Sequence, residues 1–271
     1  MDWWSAVMLG LLQGITEFLP VSSSGHLVIA QQLLGWSEPN LFFDVSLHVG
    51  TLAAVLLVFR SDVADLIRGG LLILGRILSR SREPLRHPER LFLLVVAASI
   101  PTALLGFFAR HALERLFASV ATVGVNLIIT GSLLWLTRNT GPRPGLNPAR
   151  TGLGRALGIG LAQGLALAPG ISRSGSTIAV GLLLGLERDW AGRFSFLLFV
   201  PAVIGAVLLE ALDLKYDPAI ISSAFAGAAV AAVSGYVALR LLLRVVHRGA
   251  FYRFAPYCWL VGALSLVYSL F

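Results

Sequence analysis

Residues 10–27 read GLLQGITEFLPVSSSGHL, and residues 160–177 read GLAQGLALAPGISRSGST. Gly10, Gln13 and Gly14 recur 150 positions later as Gly160, Gln163 and Gly164. Ser22, Ser24 and Gly25 recur as Ser172, Ser174 and Gly175, and Leu34 and Gly35 as Leu184 and Gly185. Proline is the one slip, at Pro20 and Pro169. Each stretch sits inside a long apolar run, 2–36 and 156–187, and interrupts it with Pro, Gly and hydroxyl residues. Non-helical backbone at membrane depth is tolerated only when buried in protein or lining a wet cavity. Both runs are therefore predicted to be re-entrant helix hairpins, neither crossing the bilayer.

The surrounding composition supports a membrane setting. Of 271 residues, 56% are hydrophobic and 13% charged, with a mean hydropathy of +0.81. Soluble domains carry about 25% charged residues, so there is too little polarity here to cover a water-facing surface. The single cysteine, Cys258, excludes a disulfide scaffold, and the dominance of apolar residues excludes a disordered chain. Asp2, with no cation before the first apolar stretch, argues against a cleavable signal and for an N-terminus kept in the mature chain.

About 20 apolar residues cross a bilayer as a helix, and six stretches approach that: 41–59, 91–109, 120–137, 192–210, 219–239 and 254–271. The net charge of +7 comes almost wholly from arginine, 15 of the 21 cations falling in 60–90, 138–155 and 240–253. Read as loops, these three belong on the cytoplasmic side, and six spans with two hairpins place all of them there. The acidic stretch Glu210–Asp217 and both termini then lie outside. The charge is thus explained by orientation and attraction to anionic lipid heads, with no nucleic acid implied. The expected architecture is all-α: a single polytopic membrane domain over 1–271. Its inverted-topology repeats run from about 1 to 137 and from about 156 to 271.

Inverted repeats whose broken helices meet near the midplane build polar sites, so the hairpin tips are where chemistry is expected. Gln13 and Glu17 lie one helical turn apart, ahead of three serines and His26. An ionisable residue inside a membrane segment is a functional candidate by default. Arg173, flanked by Ser172 and Ser174 with Thr177 opening the next helix, has the makings of a phosphate cradle, because guanidinium matches phosphate bidentately and a helix start offers free N–H groups. It lacks the lysine of a nucleotide-binding P-loop. Asp44 and His48 suit a supporting role or simple interfacial solvation, while Arg110, His111, Glu114 and Arg115 suit an outer loop that attracts an anionic head group or simply faces water. Asn126 suits an interhelical hydrogen bond. Trp3, Trp4, Trp36 and Trp190 are expected in the interfacial aromatic belt. No Cys or His cluster has zinc spacing.

The motifs QGITE and FLPVSSSGH (13–26), then PGISRSGSTI (169–178) and RFSFLLFVPA (193–202), resemble the membrane undecaprenyl-diphosphatase, or bacitracin-resistance, family in order and separation. The resemblance implies hydrolysis of undecaprenyl diphosphate to undecaprenyl phosphate and inorganic phosphate, recycling the lipid carrier of peptidoglycan synthesis. It also implies a divalent cation, Mg²⁺ or Ca²⁺, and a site opening to the outer face of the plasma membrane. Carried over by motif, the catalytic set is Glu17, Ser23, His26 and Arg173, and the phosphate-binding set is Ser22, Ser172, Arg173, Ser174 and Thr177. Gln13 stands where the family often has Glu and can supply neither base nor charge, so it is assigned a supporting role. Glu17 is then the acidic group and the protein's contribution to any metal.

The expected mechanism has His26 as base oriented by Glu17, with Ser23, water or His26 itself attacking phosphorus. The rival is a carrier or flippase for a lipid phosphate or another anion. The expected partners are the polyprenyl diphosphate and membrane lipid, with a homodimer left open.

Overall fold

The computed structural model describes residues 3–33, 41–80, 83–117, 119–140, 145–212 and 218–270. Among them the chain is helical, without named strands. In order, the helices are α1 (Trp3–Phe18), α2 (Ser23–Leu33), α3 (Leu41–Val58), α4 (Arg60–Ser79), α5 (His87–Phe108), α6 (Arg110–Phe117), α7 (Val120–Leu136), α8 (Leu153–Leu165), α9 (Arg173–Leu183), α10 (Arg188–Leu212), α11 (Pro218–His247) and α12 (Ala255–Tyr268).

Four segments are long and apolar enough to cross a membrane, within α5, α7, α10 and α11, and a fifth is counted if α3 and α4 form one bent unit. This is a multi-pass membrane architecture. The expected span at 41–59 coincides with α3, and that at 254–271 with α12, whose 14 residues fall short of the length test. The helices of the two repeat stretches are shorter than a bilayer requires: α1 and α2 have 16 and 11 residues, α8 and α9 have 13 and 11. Each pair forms a helix–turn–helix hairpin. Residues 34–36, which complete the first repeat, lie outside the described residues, as does Trp36.

The leading helix of each hairpin packs on a long helix from the other half of the chain, α1 on α11 and α8 on α5. Likewise α3 lies on α11 and α10 on α5, while α7 pairs with α12. The repeated glycines explain the closeness: Gly10 faces the Gly227 backbone, and Gly160 faces the Ala98 carbonyl, where a Cβ would collide. Gly160→Val should therefore lower stability by about 1–3 kcal/mol through overpacking, seen as a lower Tm in detergent. An unchanged melt would show that α5 and α8 can separate without loss.

Residues 60–79 are not a loop. After Phe59 the chain turns by 91° from α3 into the 20-residue α4. Two charged side chains of α4 turn inward: Asp62 pairs with Arg193 on α10, and Arg76 pairs with Glu89 on α5 at 2.8 Å. Ile67, Leu71, Leu74 and Leu78, spaced along one helical face, turn outward and are exposed. The arginines hid a 3.6-residue period. Similarly, α11 continues to His247, so much of the expected loop at 240–253 is helix.

Trp190 is also not in an aromatic belt: it is buried, and its Nε1 donates to Thr151 Oγ1 at 2.9 Å. Trp3 and Trp4 are exposed, as a belt requires. Asn126 makes the expected link between segments, its Nδ2 donating to the Pro169 carbonyl at 2.7 Å. The side chains of Arg110, His111, Glu114 and Glu210–Asp217 lie outside the described residues.

Candidate active site at the hairpin tips

The helical repeat of α1 sets Gln13 beneath Glu17, and Gln13 Nε2 donates to Glu17 Oε2 at 2.9 Å. The chain then turns through Leu19–Ser22 and restarts as α2, whose first residue, Ser23, returns to the same carboxylate. Ser23 Oγ donates to Oε2 at 2.5 Å. From the second hairpin, Arg173 at the start of α9 donates through Nη2 to Oε1 at 2.6 Å. Glu17 is 6% exposed, and a buried carboxylate persists as an anion only when paired and hydrogen-bonded. Both requirements are met across the two tips.

Arg173 is held from a second side by α10. Its guanidinium lies 4.0 Å from the centroid of the Phe199 ring and 6.0 Å from that of Phe196, a cation–π arrangement that fixes the plane of the fork. Its Nη1 is buried and has no hydrogen-bond partner. Such a donor costs about 1–3 kcal/mol while unsatisfied, so the fork has one tooth on Glu17 and one without a protein partner.

The remaining hydroxyls assemble the tips. Ser22 Oγ accepts from Gly25 N at 3.3 Å and, across the interface, from Gly170 N at 3.1 Å. Ser22 has a φ of 68°, a left-handed conformation costly for a residue with a Cβ. Its counterpart Ser172 caps α9 by accepting from Gly175 N at 3.0 Å. Ser174 Oγ donates to the Leu19 carbonyl at 3.3 Å, again joining the two tips. Thr177 Oγ1 donates to the Arg173 carbonyl at 2.8 Å and lies 2.5 Å from Ser195 Oγ. Ser22, Ser172, Ser174 and Thr177, the residues expected to bind phosphate, are all buried in these contacts.

His26 belongs to the same tip but makes no hydrogen bond to Glu17 or Ser23. Its Nδ1 donates to the Ser22 carbonyl at 2.8 Å, and the phenol of Tyr257 on α12 donates to Nε2 at 2.8 Å. The group orienting His26 is thus a backbone carbonyl, in place of the expected Glu17, because Arg173, Ser23 and Gln13 already occupy that carboxylate. In the Nδ1–H tautomer the Nε2 lone pair is the acceptor for the Tyr257 hydroxyl.

Of two further neighbours, sequence left His48 open between supporting the site and interfacial solvation, and it did not mark Tyr257. His48 Nε2 lies 3.5 Å from Glu17 Oε2, with its side chain 30% exposed. The four-residue spacing of Asp44 and His48 showed that they share a helix face, without showing which helix that face meets. Tyr257 stands 231 residues from His26, and no local pattern joins them.

Among the described residues no three His, Cys, Asp or Glu side chains gather as a metal site. Glu17, the acidic group expected to help bind Mg²⁺ or Ca²⁺, has both oxygens engaged. The donor set therefore does not fit a metal held by the protein alone.

The tip residues are built from the motifs that carried the sequence resemblance, and comparison with known proteins reaches the same place. Residues 6–264 match the family described as Bacitracin resistance protein BacA. Similar curated proteins include the undecaprenyl-diphosphatase of Desulfosudis oleivorans, 51% identical over 267 residues, covering 96% of each chain. The undecaprenyl-diphosphatase of Desulfatibacillum aliphaticivorans is 44% identical, covering 98% of this chain and 99% of its own. That of Methanosphaera stadtmanae is 40% identical, covering 99% of both. With the match running nearly end to end and both hairpin tips inside it, the chain belongs to the bacitracin resistance protein BacA family.

Proposed function

We propose that this protein hydrolyses undecaprenyl diphosphate to undecaprenyl phosphate and inorganic phosphate, and so returns the lipid carrier to cell-wall synthesis and confers bacitracin resistance. The observation that carries the proposal is the Ser23–Glu17–Arg173 constellation, a hydroxyl hydrogen-bonded to a carboxylate beside a guanidinium with a free, buried N–H. A carrier needs the guanidinium to grip an anion but has no use for a hydroxyl placed on a base. The family match and the relatives' names support the same substrate.

In the proposed reaction, Arg173 Nη1 binds an oxygen of the terminal phosphate and stabilises the charge that develops there. Ser23 Oγ attacks that phosphorus while its proton passes to Glu17 Oε2. The bond from phosphorus to the bridging oxygen breaks, and undecaprenyl phosphate leaves. Water then takes the place of the Tyr257 hydroxyl at His26 Nε2 and attacks the phosphoserine with its proton going to that nitrogen, the Ser23 Oγ–P bond breaks, Glu17 returns the proton to Ser23, and His26 releases its proton to solvent. The released phosphate carries no atom of the protein. A divalent cation would arrive as the counter-ion of the substrate's own phosphates.

The same reading sets the topology: six spans with α1–α2 and α8–α9 re-entrant, in an inverted repeat within the plasma membrane. The exchange of partners between halves, α1 on α11 and α8 on α5, supports this, as does the arginine distribution, which puts the entrance of the first hairpin on the outer face. Phosphate release from undecaprenyl diphosphate by detergent-purified protein tests the function, with Mg²⁺ or Ca²⁺ and then with chelator. Release by wild type is expected. Its absence from folded protein under every cation would overturn the phosphatase and leave the carrier, to be assayed in vesicles.

A further inference from the structure

The ring of His48 is fixed by its own helix. Its Nδ1 lies 2.8 Å from the Asp44 carbonyl, which can only accept, so Nδ1 carries a proton. Asp44 is itself anchored, its Oδ1 accepting from Gln31 Nε2 on α2 at 2.9 Å. The start of α3 is thereby tied to the hairpin that bears Ser23 and His26. With Nδ1 committed, Nε2 points at Glu17 Oε2 across 3.5 Å. A lone pair on Nε2 would be repelled by that oxygen, so the contact is favourable only for the imidazolium, with a proton on each ring nitrogen, and that is the form in which Nε2 donates.

The oxygen that His48 faces is the one that accepts from Ser23. A phosphoryl group within reach of Ser23 Oγ therefore lies beside the imidazole edge, while Arg173 grips from the other side of the carboxylate. His48 also keeps 30% of its side chain exposed, compared with 5% for Glu17, so its edge is accessible to a ligand in a way that Glu17 is not.

We propose that His48 Nε2–H is a second diphosphate-binding donor, opposite Arg173, which contacts the phosphate oxygens of the substrate. This rests on the phosphatase reading for its substrate, but the ligand chemistry, a diphosphate, can be tested without turnover.

The test compares His48→Leu, which keeps bulk and loses the donor, with His48→Gln, which keeps an N–H of similar reach. Two quantities are read: Kd for inorganic diphosphate by titration calorimetry, and KM and kcat for undecaprenyl diphosphate. Loss of one charge-assisted hydrogen bond predicts about a tenfold rise in Kd and KM for His48→Leu. His48→Gln should stay within about threefold of wild type, and kcat should change less than KM in both. Equal melting temperatures establish that the variants fold. Wild-type Kd in folded His48→Leu overturns the proposal, as does an equal loss in both variants, which would make the ring's shape the active feature. If wild type binds diphosphate but releases no phosphate from the lipid, the phosphatase reading fails while the Kd comparison still decides the role of His48.

Discussion

Ser23→Ala and Glu17→Gln should each lower kcat for undecaprenyl diphosphate by about 10³-fold or more, and the double variant should be no slower than the slower single variant. The 2.5 Å contact between Ser23 Oγ and Glu17 Oε2 couples the two groups. If the serine attacks and the carboxylate takes its proton, removing either disables one unit, and their effects do not add. If water attacks and Ser23 merely shapes the tip, Ser23→Ala should cost a few-fold and the double variant should show the product of the single effects. The two substitutions differ in their structural cost. Ser23→Ala deletes one hydroxyl, whereas Glu17→Gln leaves Arg173 buried without its counter-charge, a change that costs about 3–5 kcal/mol when one partner of a buried pair is lost. Rates should therefore be compared on material shown to be folded, and Ser23→Ala is the cleaner witness. Single-turnover kinetics with labelled substrate adds a direct readout, because a phosphoserine should accumulate when its hydrolysis is slowed by His26→Ala.

Arg173→Lys should reduce kcat/KM by about 10²- to 10³-fold, the loss typical of one stabilising donor aimed at developing charge. Lysine preserves the charge opposite Glu17 and so spares most of the fold. It cannot reproduce a planar fork with one amine on Glu17 Oε1 and a second held free beside it. Nor does an ammonium keep the flat stacking over Phe199 that sets the fork's plane. Phe199→Leu should echo this effect weakly. An active Arg173→Lys with unchanged KM and kcat would show that charge alone suffices and that the free N–H has no catalytic part.

Much of the site was legible because its parts sit in two short, self-similar segments. Spacing alone put Gln13 under Glu17, Ser23 after the Pro20 break and Arg173 at a helix start. What spacing leaves undetermined is the pairing of groups across the tips. Glu17 had one neighbour in sequence that looked like a partner, His26, yet its carboxylate is saturated by groups from α1, α2 and α9 before the imidazole can compete. His48 and Tyr257 reach the tips from α3 and α12, and nothing local marks a residue whose role depends on which helix its face meets. For the fold, the apolar period of α4 was masked by counting arginines along 60–90, when the relevant fact was that Asp62 and Arg76 fall on one face and Ile67, Leu71, Leu74 and Leu78 on another. With Asp62 and Arg76 turned toward protein and these four aliphatics turned outward, that part of the helix inverts the usual pattern, as a lipid-facing surface permits.

The doubling of the hairpins is also incomplete. Ser23 and Arg173 stand 150 residues apart, at equivalent positions of the repeat, and both converge on Glu17; the position equivalent to Glu17 in the second hairpin is Leu167. The second hairpin contributes its arginine but has no carboxylate to receive a proton, and the first has the carboxylate and hydroxyl but no arginine. Under the proposed reaction, two half-sites with different equipment add up to one centre per polypeptide, so the duplicated sequence has a reaction stoichiometry of one.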